Sequence, residues 1–117
     1  MKVAIFVLAD TGTHDGLGRV VNAMEAVKQF KEAGDDVKLY FDGAGTKWIQ
    51  ELSKKDHIAH GLHNAIADKV EGACLFCATA FGAKDAVNQC KIGLIDEKDQ
   101  HVDVKNLVAD GYTIMNF

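Results

Sequence analysis

Two thiols three residues apart, in Cys74-Leu75-Phe76-Cys77, are the side chains of this sequence best suited to nucleophilic chemistry. Cys77 closes a short apolar run from Ala73 that reads as a buried strand, and Ala78-Thr79-Ala80-Phe81-Gly82 after it opens toward a helix. Free amides at a helix start stabilise a thiolate, which would lower the pKa of Cys77 and make it a nucleophile near neutral pH. The C-x-x-C spacing also invites a dithiol redox reading. Redox pairs of that kind open a helix, however, and inside a strand at ~3.3 Å per residue the two Cα atoms would stand about 10 Å apart on opposite faces. Cys90, at the far end of the following helix, reads as a packing residue. Three cysteines are an odd number, so free thiols rather than a disulfide framework are expected.

The histidines offer a second kind of chemistry. His57, His60 and His63 recur at i, i+3 and i+6, so neighbouring pairs share a helical face, but the outer two are rotated apart. No carboxylate or thiol stands with them at ligand spacing, and the sequence assigns no metal site. His14 lies in the Gly-rich segment Asp10-Thr11-Gly12-Thr13-His14-Asp15-Gly16-Leu17-Gly18, from which it would orient or protonate a group at the Cys77 edge. That segment has the strand-to-helix context of a phosphate cradle, yet neither the dinucleotide fingerprint nor the P-loop pattern is present. No cofactor is therefore expected.

The elements that position these residues follow from hydrophobic patterning. Val3 to Ala9 is apolar on both alternating faces, as a central parallel strand covered on both sides must be. Leu17, Val20, Val21, Met24, Val27 and Phe30 recur at helical spacing from Gly16 to Ala33, with Gly34 after them. Val37 to Asp42 reads as a second strand, and Thr46 to Lys69 as broken helix. After the strand at Ala73 to Cys77 come a helix at Ala83 to Gln89, a strand at Ile92 to Ile95, a helix at Val104 to Ala109 and a last strand at Tyr112 to Phe117. Strands alternating with helices predict a single α/β domain, a three-layer α/β/α sandwich on a mostly parallel five-stranded sheet, with the strand order left open. Ligands of such sheets bind beyond the carboxyl ends of the strands, which selects Asp10, Thr11, His14, Asp42, Gly43, Cys77 and Asp96.

At 117 residues, 48% hydrophobic and 26% charged, the chain can bury a core without disulfide or metal staples. A net charge of −4 argues against a bulk electrostatic grip on nucleic acid or anionic membrane. The longest apolar run, Val3 to Ala9, falls far short of the roughly 20 residues of a membrane helix and lacks a signal-peptide pattern, so a cytoplasmic protein is expected.

Three stretches together resemble the DsrE/DsrF-like family: the first strand with its Gly-rich turn, Gly72-Ala73-Cys74-Leu75-Phe76-Cys77-Ala78-Thr79-Ala80-Phe81-Gly82, and Ala109-Asp110-Gly111-Tyr112-Thr113-Ile114. The resemblance spans essentially the whole chain, and its most specific part is Cys77-x-x-x-x-Gly82. It implies a trimer or hexamer that carries sulfur as a persulfide on Cys77 and passes it to a partner sulfur-carrier protein. Thr11, Gly12, His14, Asp42 and Gly82 are the residues expected to contact a ligand around that thiol. The competing reading is a non-catalytic module that binds a small anion or nucleotide at the Gly-rich loop.

Overall fold

The computed structural model describes residues 1–117. Five strands, β1 (Lys2–Val7), β2 (Asp36–Phe41), β3 (Val70–Cys74), β4 (Leu94–Ile95) and β5 (Thr113–Asn116), form one sheet in the order β4-β3-β2-β1-β5, and every pairing is parallel. Six helices connect them: α1 (His14–Glu32), α2 (Trp48–Ser53), α3 (His60–Ile66), α4 (Leu75–Ala80), α5 (Lys84–Gln89) and α6 (Val104–Ala109). The expected α/β/α sandwich is the fold found.

The strand order explains how the helices divide between the layers. From β1 to β4 the chain steps across the sheet in one direction, and right-handed crossovers place all the intervening helices on one face. The step from β4 back to β5 runs the other way, so α6 packs on the opposite face. Burial follows this division. Val3, Ile5 and Val7 of β1 meet Val20, Met24 and Val27 of α1, with Ile49, Leu52, Ile66 and Val87 from α2, α3 and α5. On the other face Ala4, Phe6 and Tyr40 meet Leu107 of α6 together with Val102 and Tyr112. Phe6 and Tyr40, paired across β1 and β2, stack with ring centroids 4.8 Å apart.

Boundaries shift by one or two residues elsewhere, β1 ending at Val7 rather than Ala9 and β4 beginning at Leu94 rather than Ile92, but the change at β3 alters the site. Ala73 to Cys77 is not a strand: β3 ends at Cys74 and α4 begins at Leu75. Ladder partners run out at that point, because Ala73 already pairs with Phe41 at the end of β2, and β4 offers only Leu94 and Ile95. With no neighbour left to bond, Leu75 to Ala80 satisfies its backbone internally as a helix, to which Leu and Ala are well suited. No helix is long and apolar enough to cross a membrane.

Candidate functional site

Three chain segments deliver four side chains to one point at the carboxyl edge of the sheet. Asp42 follows β2 directly, its N–H donating to the Val7 carbonyl at 2.9 Å and its Oδ1 accepting from the Gly43 N–H at 2.8 Å. Cys74 is the last residue of β3, and Cys77 lies in the first turn of α4. His101 arrives on a tight hairpin between β4 and α6, where Lys98 and His101 bridge and the intervening Asp99 and Gln100 both adopt positive φ, 50° and 67°. A two-residue turn of that hand demands this conformation, and in residues other than Gly it stores strain. One donor atom from each of Asp42, Cys74, Cys77 and His101 lies within 4.8 Å of all the others.

The hairpin and the start of α4 satisfy each other. The Phe76 N–H donates to the Gln100 carbonyl at 3.0 Å, and the Cys77 N–H donates to Cys74 Sγ at 3.5 Å, so two amides at the helix start are capped across the site. Cys74 Sγ lies 3.2 Å from His101 Nδ1. The His101 ring packs against Phe76 with centroids 4.8 Å apart, which fixes its orientation. Cys74 is fully buried and Cys77 half-buried, so only the second thiol meets an incoming molecule. Beside Asp42 a mostly apolar hollow of about 180 Å³, lined by Phe6, Leu8, Val104, Ile114 and Asn116, opens at the same edge.

The expected activation of Cys77 by a helix start is not what the environment produces. Burial pushes the Cys77 thiol up from 9.0 to about 12, reinforced by its hydrogen bonds to Asp42 and Cys74 and opposed by the Gly43 N–H. Burial likewise raises Cys74, against the lowering effect of the Cys77 N–H. Desolvation and a neighbouring carboxylate outweigh the single amide that opposes them at each thiol, Gly43's at Cys77 and Cys77's own at Cys74, and the resting thiols hold their protons.

Of the residues read from sequence, Asp42 and Cys77 meet at this site. The C-x-x-C pair, expected about 10 Å apart in a strand, instead opens a helix with its sulfurs inside the same 4.8 Å cluster. Thr11, Gly12 and His14 do not join it; they line a separate hollow of about 340 Å³ with Trp48, Glu51 and His57. Gly82 follows α4 with φ +71°, and its N–H closes the helix on the Thr79 carbonyl at 3.2 Å, so it terminates α4. Cys90 remains a free thiol packed against the main core. His57 Nδ1 accepts from the Ala59 N–H at 3.0 Å, His60 Nδ1 sits 2.7 Å from the Leu52 carbonyl, and His63 is buried with Nδ1 unpartnered. These three histidines make no common centre. Sequence reasoning missed Cys74 as a site residue and His101 altogether. For Cys74 the C-x-x-C spacing was a usable signal; for His101 there was none, because its turn, Lys98-Asp99-Gln100, lacks the glycine that marks such hairpins.

Over 87 residues, 74% of this chain and 70% of the other, the sequence is 28% identical to MJ0733, an uncharacterized protein of Methanocaldococcus jannaschii. No protein-family model matches the chain, and no solved structure matches it.

Proposed function

We propose that the protein is a cytoplasmic sulfur-relay protein that holds sulfane sulfur as a persulfide on Cys77. The observation that carries this reading is the half-buried Cys77 thiol, set beside a second, fully buried thiol and between a carboxylate and an imidazole at the ligand-binding edge of a parallel sheet. The resemblance to the DsrE/DsrF-like family supports it. In the loading step the Cys77 proton leaves to Asp42 or solvent, and Sγ attacks the outer sulfur of a persulfide donor R–S–SH. A new S–S bond forms, the donor's S–S bond breaks, and RSH departs with the proton. Transfer is the same exchange in reverse order, with an acceptor thiolate attacking the outer sulfur and Cys77 leaving. The acceptor is a sulfur-carrier protein. Phe76 and Phe81, about half exposed at 51% and 46%, give it an apolar landing next to the thiol, in an assembly that the resemblance makes a trimer or hexamer.

Intact-mass analysis under non-reducing conditions tests the reading. After incubation with a cysteine desulfurase and cysteine, or with polysulfide, the wild type should gain one sulfur atom and Cys77→Ser none. An equal gain in Cys77→Ser, or no gain in the wild type, overturns it.

A further inference from the structure

We infer that Asp42, Cys74, Cys77 and His101 form a tetrahedral binding site for a zinc-class divalent ion. The inference stands on donor geometry and does not depend on the sulfur reading; because both use Cys77 Sγ, a bound ion and a persulfide are alternative states of that sulfur. Four potential ligands from three chain segments, two sulfurs, one imidazole nitrogen and one carboxylate oxygen, lie within 4.8 Å of one another. Zinc binds Cys sulfur at about 2.3 Å and His nitrogen or carboxylate oxygen at about 2.0–2.2 Å, which sets tetrahedral edges of roughly 3.3–3.8 Å. The 3.2 Å between Cys74 Sγ and His101 Nδ1 is a few tenths of an ångström short of such an edge, so these two donors need only a small separation to share an ion. Side-chain shifts on the order of 1 Å would close the rest.

The donor set selects the metal. Two thiols exclude magnesium and calcium, which take oxygen ligands, while the hard carboxylate and the imidazole are poorly matched to a purely soft ion such as Cu(I). Zinc accepts all three donor types, and four protein ligands in a C-x-x-C plus His plus Asp arrangement describe a closed site.

The surroundings are also those of a metal centre rather than a chance meeting of side chains. The Cys77 N–H already points at Cys74 Sγ, an orientation that would steady a thiolate. Asp42 keeps one oxygen on the Gly43 N–H, which orients the other, and Phe76 holds the His101 ring. The strained Asp99-Gln100 turn is what carries His101 to the thiols, at a cost that an inert surface loop has no reason to retain. Binding balances as one divalent ion taken up and two thiol protons released, Zn²⁺ + 2 RSH giving Zn(SR)₂ + 2 H⁺.

Reduced, chelator-treated, sulfur-free full-length protein should take up one Zn²⁺ per chain in competition with a chromophoric chelator. Co²⁺, used as the optical probe, should give intense tetrahedral visible bands and thiolate-to-cobalt charge transfer. Cys74→Ser and Cys77→Ser should each remove about half of the charge-transfer intensity, and Asp42→Asn and His101→Ala should weaken zinc by at least about tenfold. A pale octahedral cobalt spectrum in the wild type overturns the inference with no variant involved, as does zinc uptake that persists in the Cys74→Ser/Cys77→Ser double variant. Because no sulfur donor is present, failure here leaves sulfur loading untouched, and failure of sulfur loading leaves this measurement intact.

Discussion

Two turns at the carboxyl edge of the same sheet, the Gly-rich one after β1 and the cysteine-bearing one after β3, put their polar groups to opposite uses. After β1 the groups satisfy one another locally. Asp10 Oδ1 accepts from the Thr11 N–H and pairs with Lys47, each at 2.7 Å; Thr13 caps the Gly16 N–H at 2.9 Å, and Asp15 pairs with Arg19 at 2.8 Å. After β3 the groups come from distant segments and satisfy one another across the site: Cys74 Sγ donates to the Gln100 carbonyl at 3.6 Å and lies 3.2 Å from His101 Nδ1, and Cys77 is hydrogen-bonded to Asp42. The first turn shows the local features of a ligand loop, while the second brings together the reactive groups. Convergence of ionisable and nucleophilic groups from several segments is the better mark of a site, because bringing them together costs desolvation that local helix caps alone do not require.

The contrast can be broken at its structural end first. Gly16 faces the Asp10 carbonyl, and an added Cβ would fall 2.0 Å from that oxygen, so Gly16→Ala should cost about 3 kcal/mol in chemical denaturation. A near-neutral result would show that the β1 turn is free to rearrange around a ligand after all. At the other turn, Asp42→Asn removes a charge that raises Cys77, and alkylation of the reduced protein at pH 8 should accelerate by about three- to fourfold for each pKa unit recovered, the tenfold gain in thiolate being partly offset by its lower nucleophilicity. Unchanged kinetics would leave burial and the Cys74 hydrogen bond as the causes of the raised thiol.

The same raised pKa has a thermodynamic sign. Folded Cys77 holds its proton to about 12, whereas the unfolded thiol releases it near its ordinary 9.0. Its contribution to stability is complete below that unfolded value and is lost as pH rises toward 12. Denaturant midpoints measured across that window should fall less steeply in Cys77→Ser than in the wild type.

Smaller effects sharpen the picture of the β1 turn as a helix start. Thr13→Ala deletes the N-cap of α1 and should cost about 1 kcal/mol in chemical denaturation while leaving the alkylation rate of Cys77 unchanged. Gly18, two residues beyond Gly16, has open space where a Cβ would go and sits inside α1, so Gly18→Ala should stabilise by about 0.5–1 kcal/mol in thermal melts. Opposite signs at two glycines of one segment would show that its glycine content serves packing at one position and nothing at the other.

How far the sequence reached varies along the chain. The Val20, Met24 and Val27 stripe located α1, and the two-sided apolar run of β1 announced a sheet covered on both faces, because burial of regularly spaced side chains is a local signal. Asp42 and Cys77 were legible as edge residues for the same reason, since each follows an apolar run that has to be a strand or its continuation.

Three matters were decided only by the tertiary structure. An apolar run as short as Ala73 to Cys77 fits strand or helix equally well, and the choice fell to how many ladder partners β2 and β4 supplied. That choice turned a C-x-x-C pair on opposite faces into two neighbouring sulfurs. The ionisation of Cys77 was set by groups distant in sequence: burial and Asp42 raise it, the Gly43 N–H opposes them, and the α4 amide of Cys77 itself is directed at Cys74 Sγ. His101 reached the thiols through a turn held open by its bonds to α4, a contact 24 residues from Cys77 in sequence that no local pattern encodes. Periodicity records which side of an element is buried; which groups meet there depends on strand order and on the strain the fold can support.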